Sequence, residues 1–182
     1  MAAVKGKDSG GLATRVVTGL LLAVVALGLI WLGGWPFNLL IFAMVLIIFY
    51  EWAAMHRARS MPRGVGVLLT AATVLLASVY GPEIGLGAAG IGAVVLSAIS
   101  RFSFRLSAGL LYACLPAIAL VWLRGLGDGL ILVLWAMLIV WATDIFAYFT
   151  GRTIGGPKIW QAISPNKTWS GLAGGVVAAG LV

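Results

Sequence analysis

The stretch GLILVLWAMLIVWATDIFAYF, residues 129–149, is apolar along nearly its whole length and carries one charge, Asp144. An α-helix rises ~1.5 Å per residue, so about 20 such residues cross the ~30 Å hydrocarbon layer of a bilayer. Five more runs of comparable length and apolarity precede it, at 16–35, 37–55, 64–80, 84–99 and 107–123, and a seventh starts at Gly171 and stops at Val182. The whole chain is 62% hydrophobic and only 9% charged, against the ~25% charged residues that a water-facing surface normally carries. Lipid must therefore be its main solvent. The expected fold is an all-α, polytopic transmembrane helix bundle in a single membrane domain over residues 1–182. It comprises a tail at 1–15, six spans within 16–149, a water-facing loop at 150–170 and the start of a truncated span at 171–182. The fourth run is rich in glycine and alanine, which favours close helix contact and predicts a packed interior span. The first follows Lys5, Lys7 and Arg15 like a signal peptide, but its apolar stretch exceeds 7–15 residues and Gly33-Gly34-Trp35-Pro36 is a poor cleavage site, so it is expected to remain as a span.

Orientation follows from the cations. Lys5, Lys7, Arg15, Arg57, Arg59, Arg63, Arg101, Arg105, Arg152, Lys158 and Lys167 all fall in alternate connecting segments, and only Arg124 falls on the other side. The positive-inside rule puts those eleven in the cytoplasm, with the N-terminus. The formal net charge of +7 is thus a bilayer-orientation signal, and no nucleic-acid partner is expected. Cys114 is the single cysteine. It excludes an internal disulfide or a cysteine metal cage and reads as a packing residue.

Only five acids exist. Asp8, Glu83 and Asp128 fall in the tail or in loops, where solvation explains them. Glu51 and Asp144 sit near the inner ends of the second and sixth spans, where an ionised carboxylate is costly unless it meets a partner or water. For Glu51, pairing with Arg57 or Arg59 at the headgroup level and a functional role stand level. For Asp144 function leads, because Asp144, Tyr148 and Arg152, spaced i, i+4, i+8, line up an acid, a hydroxyl and a cation on one helix face. The following segment combines glycines, hydroxyls and the cations Arg152, Lys158 and Lys167, which suit phosphate oxygens. It holds no Walker pattern, and by composition alone a basic loop touching headgroups explains it. His56 beside the Arg57/Arg59 cluster reads as interfacial, and the tryptophans near span ends as an aromatic belt.

The segment Thr143-Asp144-Ile145-Phe146-Ala147-Tyr148-Phe149-Thr150-Gly151-Arg152, followed by Ser164-Pro165-Asn166-Lys167-Thr168-Trp169-Ser170-Gly171, resembles the phosphatidate cytidylyltransferase (CDP-diacylglycerol synthase) family. There an Asp-x-x-Ala-Tyr-Phe-x-Gly-Arg helix end leads to a Ser-Pro-Lys-Lys-Thr-Trp-Glu-Gly loop. Tyr50-Glu51-Trp52 and the basic loop after it are similar too. Asn166 and Ser170 depart from the family's common lysine and glutamate. The family's His-Gly-Gly and Asp-Arg-x-Asp signature is absent, so the resemblance implies the N-terminal part of such an enzyme.

The resemblance further implies a nucleotidyltransferase in phospholipid biosynthesis, joining CTP and phosphatidic acid to give CDP-diacylglycerol and pyrophosphate in a bacterial inner membrane. Asp144 would hold Mg²⁺ and be catalytic with Lys167. Arg152, Tyr148, Ser164, Asn166 and Thr168 would bind substrate or shape the loop, with Glu51 an additional candidate. Membrane lipid and a second copy of the chain are the further candidate partners. Two alternatives stay open. A CTP-dependent polyprenol or phytol kinase would yield lipid phosphate and CDP, and a small transporter would use Glu51 and Asp144 to couple ions. The paired broken helices common in transporters are not seen.

Overall fold

The computed structural model describes residues 9–100 and 104–182, so Lys5, Lys7, Asp8 and Arg101 lie outside the described residues. Its elements run α1 (Ser9–Leu32), α2 (Gly34–Met55), α3 (Ser60–Tyr80), α4 (Pro82–Ile99), α5 (Phe104–Arg124), α6 (Gly129–Thr153), β1 (Lys158–Trp160), β2 (Ser164–Thr168) and α7 (Trp169–Leu181). Helices α1 to α6 are each long and apolar enough to cross a membrane, and α7 is apolar but shorter. The protein is a multi-pass helical membrane protein. Its chain divides into two compact units, residues 1–127 and 128–182.

In the first unit α2 to α5 pack on one another and α1 packs on α2. The buried residues of α2 are Phe37, Ile41, Val45, Phe49 and Ala53, an unbroken i, i+4 row on one face. Small residues let the neighbours approach closely. Gly66 lies against the Phe49 ring, Gly85 against Ala77, and Gly109 against the Trp52 indole. Trp52 Nε1 donates to the Arg105 carbonyl (2.8 Å) and the Ser107 hydroxyl to the Ala93 carbonyl (2.7 Å). These bonds satisfy polar groups that lipid would leave unpaired. Cys114 is buried among Thr70 and Thr73, as a packing residue should be. The fourth helix does use its small residues for contact, Gly85, Ala89, Gly92 and Ala93 being buried. The most buried span is nevertheless α5, at 44% against 28% for α2 and α3 and 22% for α4.

Several boundaries differ from expectation. The first span ends at Leu32, and Trp35 and Pro36 belong to the first turn of α2, where a proline's missing N–H costs nothing. The break is stabilised by Arg124, the one cation on the sparsely charged side. Its Nε donates to the Ile30 carbonyl (2.8 Å) and its Nη2 to the Trp31 carbonyl (3.0 Å). The guanidinium thereby caps the last carbonyls of α1 and favours the negative end of its dipole. It also lies against Gly33, where any Cβ would collide with it.

In the second unit α6 packs on α7 through two rows of small residues. Thr143, Ala147, Thr150 and Gly151 on α6 face Gly171, Gly174 and Gly175 on α7. A Cβ at Gly171 would stand 2.8 Å from the Ala147 carbonyl oxygen, one at Gly175 would stand 3.0 Å from that of Thr143, and one at Gly174 would strike the Thr150 side chain. This is the small-xxx-small contact by which helices associate in lipid, where no hydrophobic gain separates helix from solvent. The segment expected as a loop at 150–170 is more structured than composition suggests. Helix α6 continues to Thr153, β1 and β2 form an antiparallel hairpin pairing Lys158 with Thr168 and Trp160 with Ser164, and α7 starts at Trp169.

Two outcomes are expected. Arg124→Ala leaves the α1 end uncapped and lowers thermal stability in detergent by about 1.5–3 kcal/mol, the loss from hydrogen bonds to a charged group; Arg124→Lys, lacking the planar fork, restores only part of it. Gly175→Leu overpacks the α6–α7 contact and costs about 1–3 kcal/mol, measured by the same melt, whereas leucine at Gly180, which has open space around it, has no effect.

Candidate functional site

The site candidates cluster where α6 ends and the hairpin begins. Because Thr143, Ala147, Thr150 and Gly151 are taken up against α7, the adjacent face of α6 is left to Asp144, Tyr148 and Arg152, all exposed. The i, i+4, i+8 alignment holds in detail. Arg152 Nη1 donates to the Tyr148 hydroxyl oxygen (2.7 Å), and its guanidinium lies 5.9 Å from the Tyr148 ring centroid. Tyr148 thus orients Arg152 and keeps its own hydroxyl proton available. Arg152 also sits in the last turn of α6, where a cation favours the helix dipole. Among the described residues Asp144 has no hydrogen-bonding or ion-pair partner, so it is not consumed by a structural arginine.

Beyond α6 the chain turns at Gly155 and Gly156, whose φ values of 65° and 104° lie in the region that glycine adopts without strain. The hairpin is closed by Ile163 N donating to the Trp160 carbonyl (3.2 Å) and by Trp169 N donating to the Pro157 carbonyl (3.1 Å). Strand β2 is bulged against β1, and its only buried residue is Thr168. Lys167, Asn166 and Lys158 are exposed and Ser164 is half-buried. Among the described residues no hydrogen bond or ion pair joins Lys167 to Asp144 or Arg152, and no acid neutralises Lys158, Lys167 or Arg152.

Thr168 is 4% exposed, and its side chain is engaged internally. Its hydroxyl caps α7 by accepting from Gly171 N (3.2 Å), shares a 3.0 Å hydrogen bond with Ser170, and sits beside Gly151. It shapes the loop and offers no surface to a substrate. Ser170, to which the sequence assigned no role, bonds the Gly155 carbonyl as well and so ties the glycine turn to the start of α7. The Thr-x-x-Gly spacing before an apolar run was the available signal of that cap.

The hydroxyls expected to surround phosphate are mostly occupied. Thr150 and Thr153 donate back to the Phe146 and Phe149 carbonyls (2.6 and 2.8 Å), as hydroxyls on an apolar helix tend to do. Anion contacts therefore fall to the cations and to Tyr148.

Glu51 belongs to the other unit. It is exposed on α2, and among the described residues neither Arg57 nor Arg59 pairs with it. Arg63 instead lies over the neighbouring Tyr50 ring at 5.5 Å.

No group of three or more metal-ligating side chains exists among the described residues. A single free carboxylate at Asp144 nevertheless suits Mg²⁺, which keeps several waters and is commonly held by one or two carboxylates together with substrate phosphates.

The model of the cytidylyltransferase family matches residues 13–182. A phosphatidate cytidylyltransferase of Brucella abortus biovar 1 (strain 9-941) is 38% identical over 92% of this chain and 64% of its own length. One of Bacillus subtilis (strain 168) is 33% identical over 91% of this chain and 67% of its own length. A third, of Staphylococcus haemolyticus (strain JCSC1435), is 41% identical over 46% of this chain and 33% of its own length. The chain spans just under two thirds of the length of the Brucella relatives it matches. No solved structure matches significantly. With the family match running from residue 13 to residue 182, the chain belongs to the cytidylyltransferase family.

Proposed function

We propose that this protein transfers the cytidylyl group of CTP to phosphatidic acid, forming CDP-diacylglycerol and releasing pyrophosphate. The reaction takes place at the cytoplasmic face of a bacterial inner membrane, with the N-terminus on that side. The observation that carries the proposal is the unpartnered carboxylate of Asp144, two turns before a Tyr148-held Arg152 on the same face of α6. An ionised group at that depth of an apolar helix is costly without water or a counter-charge, and none of the described side chains supplies the counter-charge. The names of the relatives support the substrates, and the one-sided distribution of the cations supports the orientation.

In the reaction a phosphate oxygen of phosphatidic acid attacks the α-phosphorus of CTP. The bond from that phosphorus to the oxygen bridging to the β-phosphate breaks, and pyrophosphate leaves. Negative charge accumulates on both phosphate groups, so catalysis rests on positioned cations. Arg152 presents a planar fork of donors suited to bidentate phosphate contact, pre-oriented by Tyr148. Lys167, exposed on β2, supplies a point charge, and the short hairpin holds it beyond the helix end. Asp144 would hold Mg²⁺, which when bound neutralises the triphosphate. Thr168 and Ser170 act as positioning residues through the α7 cap.

In the full-length protein, Asp144→Asn and Lys167→Ala each lower CDP-diacylglycerol formation by about 100-fold or more, the scale of losing one electrostatic contact to the transition state, with expression and monodispersity unchanged. Activity near wild type in either variant contradicts the assignment. Lipid phosphate and CDP as products of the wild-type protein would replace this reaction with a lipid-kinase reaction.

A further inference from the structure

A second cluster of cations stands in the other unit, where the α2–α3 turn meets the facing ends of α4 and α5. A cavity of about 490 Å³ opens there, lined among others by His56, Arg59, Ser60, Ser100 and Arg105 and, among the described residues, by no acidic one. Its size lies within the ~300–1,000 Å³ typical of ligand sites. Among the described residues neither Arg59 nor Arg105 has an acidic partner. Arg59 is the N-cap residue of α3 and makes no side-chain cap, so the first N–H groups of that helix add partial positive charge to the same wall.

The walls are braced from behind. Trp52 Nε1 holds the Arg105 carbonyl at 2.8 Å, and the Trp52 ring stacks on His56 with centroids 4.9 Å apart. His56 Nδ1 also lies 2.8 Å from the Trp52 carbonyl, which leaves Nε2 as its remaining polar atom. Across the turn, Arg63 Nη2 donates to the Ala58 carbonyl (2.9 Å), while Ala58 N donates to that of Ala53 (2.9 Å). One tryptophan thus anchors two of the lining residues, and a hydrogen-bonded turn anchors the third, Arg59.

We infer that this cavity is a second phosphate-binding site, separate from the α6–hairpin site, which holds the phosphate of an anionic lipid headgroup. Two guanidinium groups, the Ser60 hydroxyl and an uncapped helix start form a complementary set for a phosphate oxyanion. The surrounding helices are apolar spans, so the cavity stands where a span passes from acyl chains to headgroups, within reach of a lipid phosphate. A soluble phosphate would find the same donors, and the two sources differ only in whether an acyl tail accompanies the oxyanion.

The test uses the full-length protein with phosphatidylglycerol, which is not a substrate of the proposed reaction. After delipidation and reconstitution with equal phosphatidylglycerol and phosphatidylcholine, native mass spectrometry is expected to show phosphatidylglycerol retained by the wild type, by Arg57→Gln, which changes a cation outside the lining, and by Lys167→Ala. Arg59→Gln combined with Arg105→Gln lowers that retention on the order of tenfold. Equal retention in the double variant overturns the proposal, whatever the result for Lys167→Ala. A second measurement needs no variant: phenylglyoxal modification of wild-type Arg59 and Arg105 is slowed in phosphatidylglycerol nanodiscs relative to phosphatidylcholine nanodiscs. Protection by millimolar inorganic phosphate and not by lipid would assign the site to soluble phosphate, and protection by neither would refute it.

Discussion

The close approach of α6 and α7 is the constraint on which the candidate site rests. Two rows of small residues bring the backbones together until any added Cβ at Gly171, Gly174 or Gly175 would meet backbone or threonine atoms. In lipid this contact cannot draw on the hydrophobic effect and depends on dispersion and shape. Its consequence for chemistry is directional. With 143, 147 and 151 committed to the helix contact, the helical repeat leaves Asp144, Tyr148 and Arg152 on a neighbouring face. The same contact seats Gly151 beside Thr168, so the hairpin carrying Lys158 and Lys167 is held at the end of α6 by the cap of α7.

Arginines serve opposite purposes in this chain. Arg124 is structural, with its donors directed onto two helix-terminal carbonyls. This accounts for a cation on the side where the positive-inside rule would have none. Arg63 pins the α2–α3 turn through a backbone carbonyl. Arg152 is held by a neutral tyrosine hydroxyl, which orients the guanidinium without neutralising it. A carboxylate in Tyr148's place would cancel that charge. The distinction between an arginine that completes the fold and one left available for an anion lies in the partner, and composition does not reveal it.

Much of this was legible in the amino-acid sequence because lipid imposes a coarse rule. Each span must be long and apolar, and the six spans expected from the runs are the six long apolar helices of the structure. The Asp144–Tyr148–Arg152 face follows from helical geometry alone. The structure of residues 150–170 was not legible, since its order comes from two positive-φ glycines, a bulged hairpin and the Thr168–Ser170–Gly155 bonds. All three are contacts between residues whose types also suit an ordinary loop. Thr168 and the threonines of α6 illustrate the same limit. A hydroxyl near a candidate site reads as a ligand until its own helix is seen to occupy it. The fourth run was read as a packed interior span, yet α4 is less buried than α2, α3 or α5, because small residues signal close contact on one face and not enclosure on all sides.

The proposed site requires that the carboxylate of Asp144 face water and phosphate at the membrane edge and not acyl chains. Cysteine substitution reports this directly. With Cys114 replaced by serine, Asp144→Cys and Lys167→Cys are treated with a charged, membrane-impermeant methanethiosulfonate from the cytoplasmic side. Both are expected to be modified at comparable rates, while Ile131→Cys, in the first turn of the same helix, stays unmodified. An unreactive cysteine at 144 beside a reactive one at 167 would place the aspartate in lipid and contradict the account.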